Sequence, residues 1–273
     1  SGPHSSYKAY YLNTYHSGPD GYLNPSGKLA NALYPDREPL RAGGYYGEYQ
    51  AGLSAAAATM AAIYSQSLSG EGRLIDVSKQ EVLVNMDTQD FIRYANTRFM
   101  RKRTTRVPLY IGGLLRCRDG FWILQLHFDH QWKALVKVME EPEWSKDPRF
   151  QTIEGRAENR EELEDLIESW AMGPQKLEVY HALEQVGCAA GPVLMPTEVL
   201  NDPQLIARGF FQELEHPVLG RVPMPSLPFK ASQLRSPELR PAPRLGEHNT
   251  PVYGDWLGYD KRAVAELSRG KVI

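Results

Sequence analysis

Gly43-Gly44-Tyr45-Tyr46-Gly47-Glu48-Tyr49-Gln50-Ala51-Gly52, followed by Leu53 and the alanines Ala55, Ala56, Ala57, Ala58, Ala61 and Ala62, decides how the fold is read. Alanine loses no side-chain entropy in a helix, so this run, with Met60 and Ile63 among its alanines, predicts a tightly packed helix from Ala51 to about Leu68. Ser69-Gly70-Glu71-Gly72 should stop it. Arg73-Leu74-Ile75-Asp76-Val77 then reads as a short strand, and Lys79 to about Tyr94 as a second helix. Helix, glycine turn, strand and helix in succession is α/β grammar.

Toward the N-terminus, Gly18-Pro19-Asp20-Gly21 and Asn24-Pro25-Ser26-Gly27 punctuate a Tyr-rich stretch of ordered loops and short segments. Toward the C-terminus, the arginines and lysine between Asn96 and Pro108 read as a linker. They lack the interleaved aromatics of a nucleic-acid surface. Leu109-Tyr110-Ile111-Gly112-Gly113-Leu114 opens a new unit, Arg118-Asp119-Gly120 a hairpin turn, and Phe121 to Leu126 a buried strand. Helical spacing recurs from His130 to about Glu140, Glu158 to about Trp170 and Gln175 to about Gln185. From Gly191 prolines multiply, predicting extended chain with short strands until a last helix at about Lys261 to Ser268.

The 273 residues are 42% hydrophobic and 23% charged, enough to enclose a sizeable core and too apolar for wholesale disorder. Lys and Arg number 31 against 33 Asp and Glu, which excludes a globally basic nucleic-acid binder. No apolar run approaches a membrane span, and Ser1-Gly2-Pro3-His4 lacks a signal peptide's basic and apolar regions, so a cytoplasmic protein without membrane contact is expected. Cys117 and Cys188 form neither a disulfide framework nor a zinc spacing, and of the scattered histidines only His127 and His130 are close, so no metal site is expected. Phosphate-binding glycine motifs, the nucleophile elbow and the zinc-protease helix are all missing.

Glu48 is the carboxylate with a distinctive setting, between glycines at the entrance to the Ala-rich helix. Two readings follow from that placement. Glu48 can complement the helix dipole, worth about 0.3–1 kcal/mol. It can also be a nucleophile, shielded from water by Tyr45, Tyr46 and Tyr49, with flanking glycines that allow close approach of another molecule.

Gly47-Glu48-Tyr49-Gln50-Ala51-Gly52, then Gly70 to Ser78 and Glu81, resembles the central signature of the family III (CaiB/BaiF) CoA-transferases. Cys117-Arg118-Asp119-Gly120-Phe121, Gly191-Pro192-Val193, Asn201-Asp202-Pro203-Gln204, Arg208-Gly209-Phe210, Pro228-Phe229 and Leu245-Gly246-Glu247-His248 resemble later parts of the family in the same order. The resemblance implies movement of coenzyme A from an acyl-CoA to a carboxylic acid through a mixed anhydride, with no permanently bound cofactor. It puts the family's nucleophilic Asp on Glu48, one methylene longer, and its glycine-rich loop on Gly112 and Gly113, whose other reading is a plain strand-leading turn. It also places Lys8, Ala9, Tyr10 and Tyr11 against CoA. The implied fold is part of an open Rossmann-like large domain (1–105, with 233–273 returning to it) plus a smaller α+β domain (106–232). A homodimer of interlocked rings is implied for a full-length chain. The first strands of the family have no counterpart before Ser1, so the sequence resembles the later two-thirds of a family member. An acyl-CoA racemase or isomerase of the same superfamily and a non-catalytic remnant are the alternatives; the racemase branch's Gly-His-Asp triplet is missing, with His16 a few residues displaced.

Overall fold

A computed structural model describes residues 2–24, 38–102, 111–233 and 238–273. By contacts the chain divides into two compact units, Ser1–Val193 and Leu194–Ile273. That division differs from the one read from sequence, whose first divide, at 105–106, lies outside the described residues.

The first unit opens with two short helices, α1 (Tyr11–His16) and α2 (Asp20–Leu23), and then the Ala-rich helix α3 (Tyr46–Ser69). Helix α3 starts earlier than alanine content alone implies and ends where expected, at Gly70, whose φ of 73° lets its N–H reach the Gln66 carbonyl. Arg73 to Val77 is not a strand. It joins neither sheet among the described residues, and Leu74 is 97% exposed. The second predicted helix is two, α4 (Lys79–Met86) and α5 (Thr88–Thr97), broken at Asp87, whose φ and ψ of −111° and 45° leave the helical region. Tyr15 and Leu83 are fully buried among these elements, with Ala51 and Leu23 nearly so.

The rest of the unit is an antiparallel sheet, β1 (Ile111–Cys117), β2 (Gly120–Leu126) and β3 (Ala190–Pro192), in the order β1-β2-β3. The hairpin turn read at Arg118-Asp119-Gly120 is a two-residue turn at Arg118-Asp119, with Gly120 already paired opposite Cys117. Alternation along β2 turns Trp122, Leu124 and Leu126 into the core. Four helices follow the hairpin: α6 (Asp129–Val138), α7 (Ile153–Glu158), α8 (Arg160–Ala171) and α9 (Lys176–Gln185). Trp132 and Leu135, Leu163 and Ile167, and Val179 and Leu183 project from α6, α8 and α9 onto the same cluster, together with Phe150. The buried guanidinium of Arg156 is held by the Phe150 carbonyl and Asp129, so its burial is compensated.

The second unit holds α10 (Pro196–Leu200), α11 (Pro203–Ala207), a hairpin of β4 (Phe211–His216) and β5 (Gly220–Pro225), a π-helical turn at Thr250–Trp256 and α12 (Lys261–Arg269). The helix α12 begins at Asp260, whose carboxylate accepts from the Ala263 N–H at 2.7 Å. Proline at the first turn of α10 and α11 is compatible with the missing N–H there.

Candidate active site

Glu48 lies in the first turn of α3, where the free N–H groups favour an anion. Its side chain is 28% exposed, and one oxygen, Oε1, sits 3.4 Å from the ammonium of Lys79 at the start of α4. The other oxygen, Oε2, is buried and finds no hydrogen-bond donor among the described residues. A buried acceptor left open is costly unless a ligand completes it. Lys79 was not singled out in the sequence, because an ion pair across 31 positions depends on how α3 and α4 pack.

Local packing explains the placement. Gly47 is buried, and a Cβ there would lie 3.5 Å from Leu83 and 3.8 Å from the Tyr11 ring, so the start of α3 sits close against α1 and α4. Tyr11 fastens the approach to α3: its hydroxyl donates to the Ala42 carbonyl at 3.1 Å, Arg41 lies over its ring at 5.0 Å, and Tyr45 packs beside it at 5.5 Å. The expected aromatic wall is incomplete. Tyr45 and Tyr49 are 63% and 71% exposed.

Lys8, Ala9 and Tyr10 are exposed at the start of α1, with Tyr10 as its N-cap residue, while Tyr11 is half-buried and structural in its contacts. His16 shares its Nδ1 with the Gly21 carbonyl at 3.1 Å.

Gly112 and Gly113 lie within β1 and not in a loop, both at positive φ (111° and 112°). The N–H of Gly112 donates to the buried carboxylate of Glu164 at 3.2 Å, and its carbonyl accepts from Arg160 at 2.8 Å. Gly112 is therefore clamped by α8, and its N–H is taken up by Glu164 and not offered to a ligand. A Cβ at Gly112 would meet the Leu124 carbonyl oxygen at 2.3 Å, whereas the space beside Gly113 is open.

An acidic cluster lies at the break between α4 and α5. Arg101 stands 2.8 Å from Asp90 and 4.0 Å from Asp87 in a groove of about 450 Å³ walled also by Tyr22, Phe91 and Tyr94. Burial, and then the adjacent Asp90 carboxylate, push Asp87 up to about 6. Both cysteines are buried as free thiols, and burial pushes Cys188 up to about 11. Among the described residues no group of three or more His, Cys, Asp or Glu side chains could hold a metal, and no helix is long and apolar enough to cross a membrane.

Fold and site together define a class: an α/β protein that presents one lysine-paired carboxylate at a glycine-flanked helix start. The chain belongs to CoA-transferase family III, whose pattern matches residues 5–249. It is 28% identical over 243 residues to the succinyl-CoA–D-citramalate CoA-transferase of Chloroflexus aurantiacus, covering 88% of this chain and 60% of that protein. It is 27% identical to the formyl-CoA:oxalate CoA-transferase of Streptomyces avermitilis, covering all of this chain and 69% of that one. With the succinyl-CoA:glutarate CoA-transferase of Homo sapiens it shares 25% identity, over 94% of this chain and 59% of the other. The fold matches that of a CaiB/BaiF family protein from Brucella suis with a TM-score of 0.76 at 24% identity, over 93% of this chain and 65% of that one. The chain thus spans about 60% of the length of the Chloroflexus and human relatives.

Proposed function

We propose that this chain carries the acyl-accepting carboxylate of a CoA-transferase, Glu48, and moves coenzyme A from an acyl-CoA to a carboxylic acid. The observation that carries the reading is the asymmetric setting of Glu48, one oxygen held by Lys79 and the other buried without a donor. In this scheme Glu48 attacks the thioester carbonyl, the C–S bond breaks, and CoA leaves as thiolate from a mixed anhydride. The thiolate then attacks the Glu48 carbonyl, releasing the first acid and leaving a glutamyl-CoA thioester. The acceptor carboxylate attacks that thioester, and the returning thiolate takes the new acyl group, restoring Glu48. Every step exchanges activated acyl groups, so positioning and exclusion of water supply the rate.

Among the acids named for the relatives, succinate, citramalate, oxalate and glutarate carry two carboxyl groups and formate one, and we extend the dicarboxylic class to this chain. Within the same reading Lys8, Ala9 and Tyr10 face CoA, with Tyr11 fixing their segment against the start of α3, and the open side of Gly113 receives the acyl oxygen while Gly112 anchors it. The three-part division at 105–106 and 232–233, and a cytoplasmic homodimer, belong to this proposal as well. Leu53, Met60, Tyr64 and Leu68 on α3 are each more than half exposed in the single chain, an apolar face that calls for a covering partner.

Hydroxylamine tests the mechanism. Protein incubated with succinyl-CoA and then hydroxylamine should yield a hydroxamate at Glu48, and Glu48→Gln should abolish it. Exchange of the α-proton with solvent deuterium in the absence of any acceptor acid, with no hydroxamate, would favour an isomerase instead. Glu48→Asp should lower transfer by about 100-fold if the pocket is built for the longer arm.

A further inference from the structure

We propose that Lys79 sets acid selectivity, its ammonium receiving the distal carboxylate of a dicarboxylic substrate whose other carboxyl exchanges at Glu48. This rests on the reading of Glu48 as acyl acceptor.

The position of Lys79 is unusual for the helix it begins. A cation at a helix N-terminus opposes the dipole, and the start of α4 is already capped by the Ser78 hydroxyl, which accepts from the Glu81 N–H at 3.3 Å. Lys79 therefore adds nothing to helix initiation and gains its energy from an anion. Glu48 supplies one, at 3.4 Å, but the pair leaves capacity unused. An ammonium carries three donors, this contact engages one, and the Lys79 side chain is 45% exposed. A second anion can therefore reach it without displacing Glu48.

Distances favour a second carboxylate on the same small molecule. The carboxyl carbons of an extended four- or five-carbon diacid lie roughly 4–5 Å apart, from standard C–C bond lengths. An acyl carbon bonded to a Glu48 oxygen stays beside that carboxylate, and with Lys79 Nζ 3.4 Å from Oε1 the ammonium lies within the span of the far end of such an acid. A monocarboxylate of equal length would bring an alkyl end against the ammonium, stripping water from it with no compensating contact. Sites that hold a charged substrate group discriminate against analogues lacking it more strongly than apolar pockets discriminate size.

Two measurements on the chain test this. In transfer from acetyl-CoA, the ratio of kcat/KM for glutarate over valerate should favour glutarate in the wild type and fall about 10–100-fold in Lys79→Gln, the range for losing one charge-assisted hydrogen bond. Lys79→Arg should recover most of the ratio. An unchanged ratio, or an equal loss for both acids, would overturn the proposal and leave Lys79 a mere prop for Glu48. The second measurement needs no turnover. Acetylation of Lys79 by an activated ester, followed by peptide mass spectrometry, should be slowed by glutarate and not by valerate. Protection without any hydroxamate at Glu48 would sink the acyl-acceptor reading while keeping the carboxylate site; a hydroxamate without protection would sink the site alone. Loss of both would remove both.

Discussion

Residues 111–190 and the helices around Glu48 stabilise themselves by different means. The former close a core of their own, with Trp122, Leu124, Leu135, Leu163 and Leu183 fully buried between a sheet and three helices. The latter bury little: α3 is a long helix in which only Gly47 and Ala51 are buried, and Leu53 and Met60 stand in solvent. One region is a finished scaffold, whereas the other presents the Glu48 carboxylate from a packed helix start attached to a bare helix body. The contrast shows that order at Glu48 comes from a few contacts at Gly47, Tyr11, Leu83 and Lys79, not from burial along α3.

Substitutions should separate the two regions by size of effect. Trp122→Ala in the sheet should cost about 3–5 kcal/mol in urea unfolding, because it removes the largest fully buried side chain. An effect below about 1 kcal/mol would mean this core is not the stabilising one. Gly112→Ala should cost about 2 kcal/mol or more, since its Cβ would collide with the Leu124 carbonyl at a backbone angle that disfavours side chains. Gly113→Ala, with the same strain and open space, should cost less, and equal losses would show that strain alone matters.

The acidic cluster should respond to pH. Asp87 is raised from 3.8 to about 6, so between those values the folded state binds more protons than the unfolded one. Its contribution therefore becomes less favourable as pH rises through that window, and the cost is complete above about 6. Asp87→Asn should stabilise the protein by about 1 kcal/mol at pH 7.5 after solvent screening, with the gain shrinking toward pH 4. A gain independent of pH would contradict that assignment. Smallest of all, Leu53→Ala on the bare face of α3 should change the stability of the single chain by less than about 0.5 kcal/mol. A larger loss would show that α3 is already covered.

Features set by local chemistry were legible in the sequence. The alanine run, the glycine that ends it and the hairpin turn at Arg118-Asp119-Gly120 each depend on residues close together in the chain. The position of Glu48 at the start of the alanine-rich helix was legible too, because the glycines and alanines that set it lie within one short stretch. What depends on distant partners was not. Arg73 to Val77 has strand composition, yet a ladder needs a neighbour that composition cannot supply. Gly112 gave no sign that its N–H is held by a carboxylate 52 residues away, nor Lys79 that packing brings it to Glu48. The break at Asp87 was hidden because the apolar spacing continues on both sides of it.

The central claim, that the Glu48 carboxylate itself accepts the acyl group, is tested most directly by oxygen tracing. With an acceptor acid labelled with oxygen-18 in its carboxyl group and an unlabelled acyl-CoA, turnover should place oxygen-18 in the Glu48 side chain and then in the released donor acid. Peptide mass spectrometry after turnover should find the label at Glu48. Coenzyme A transfer that proceeds with no oxygen-18 at Glu48 would contradict the account.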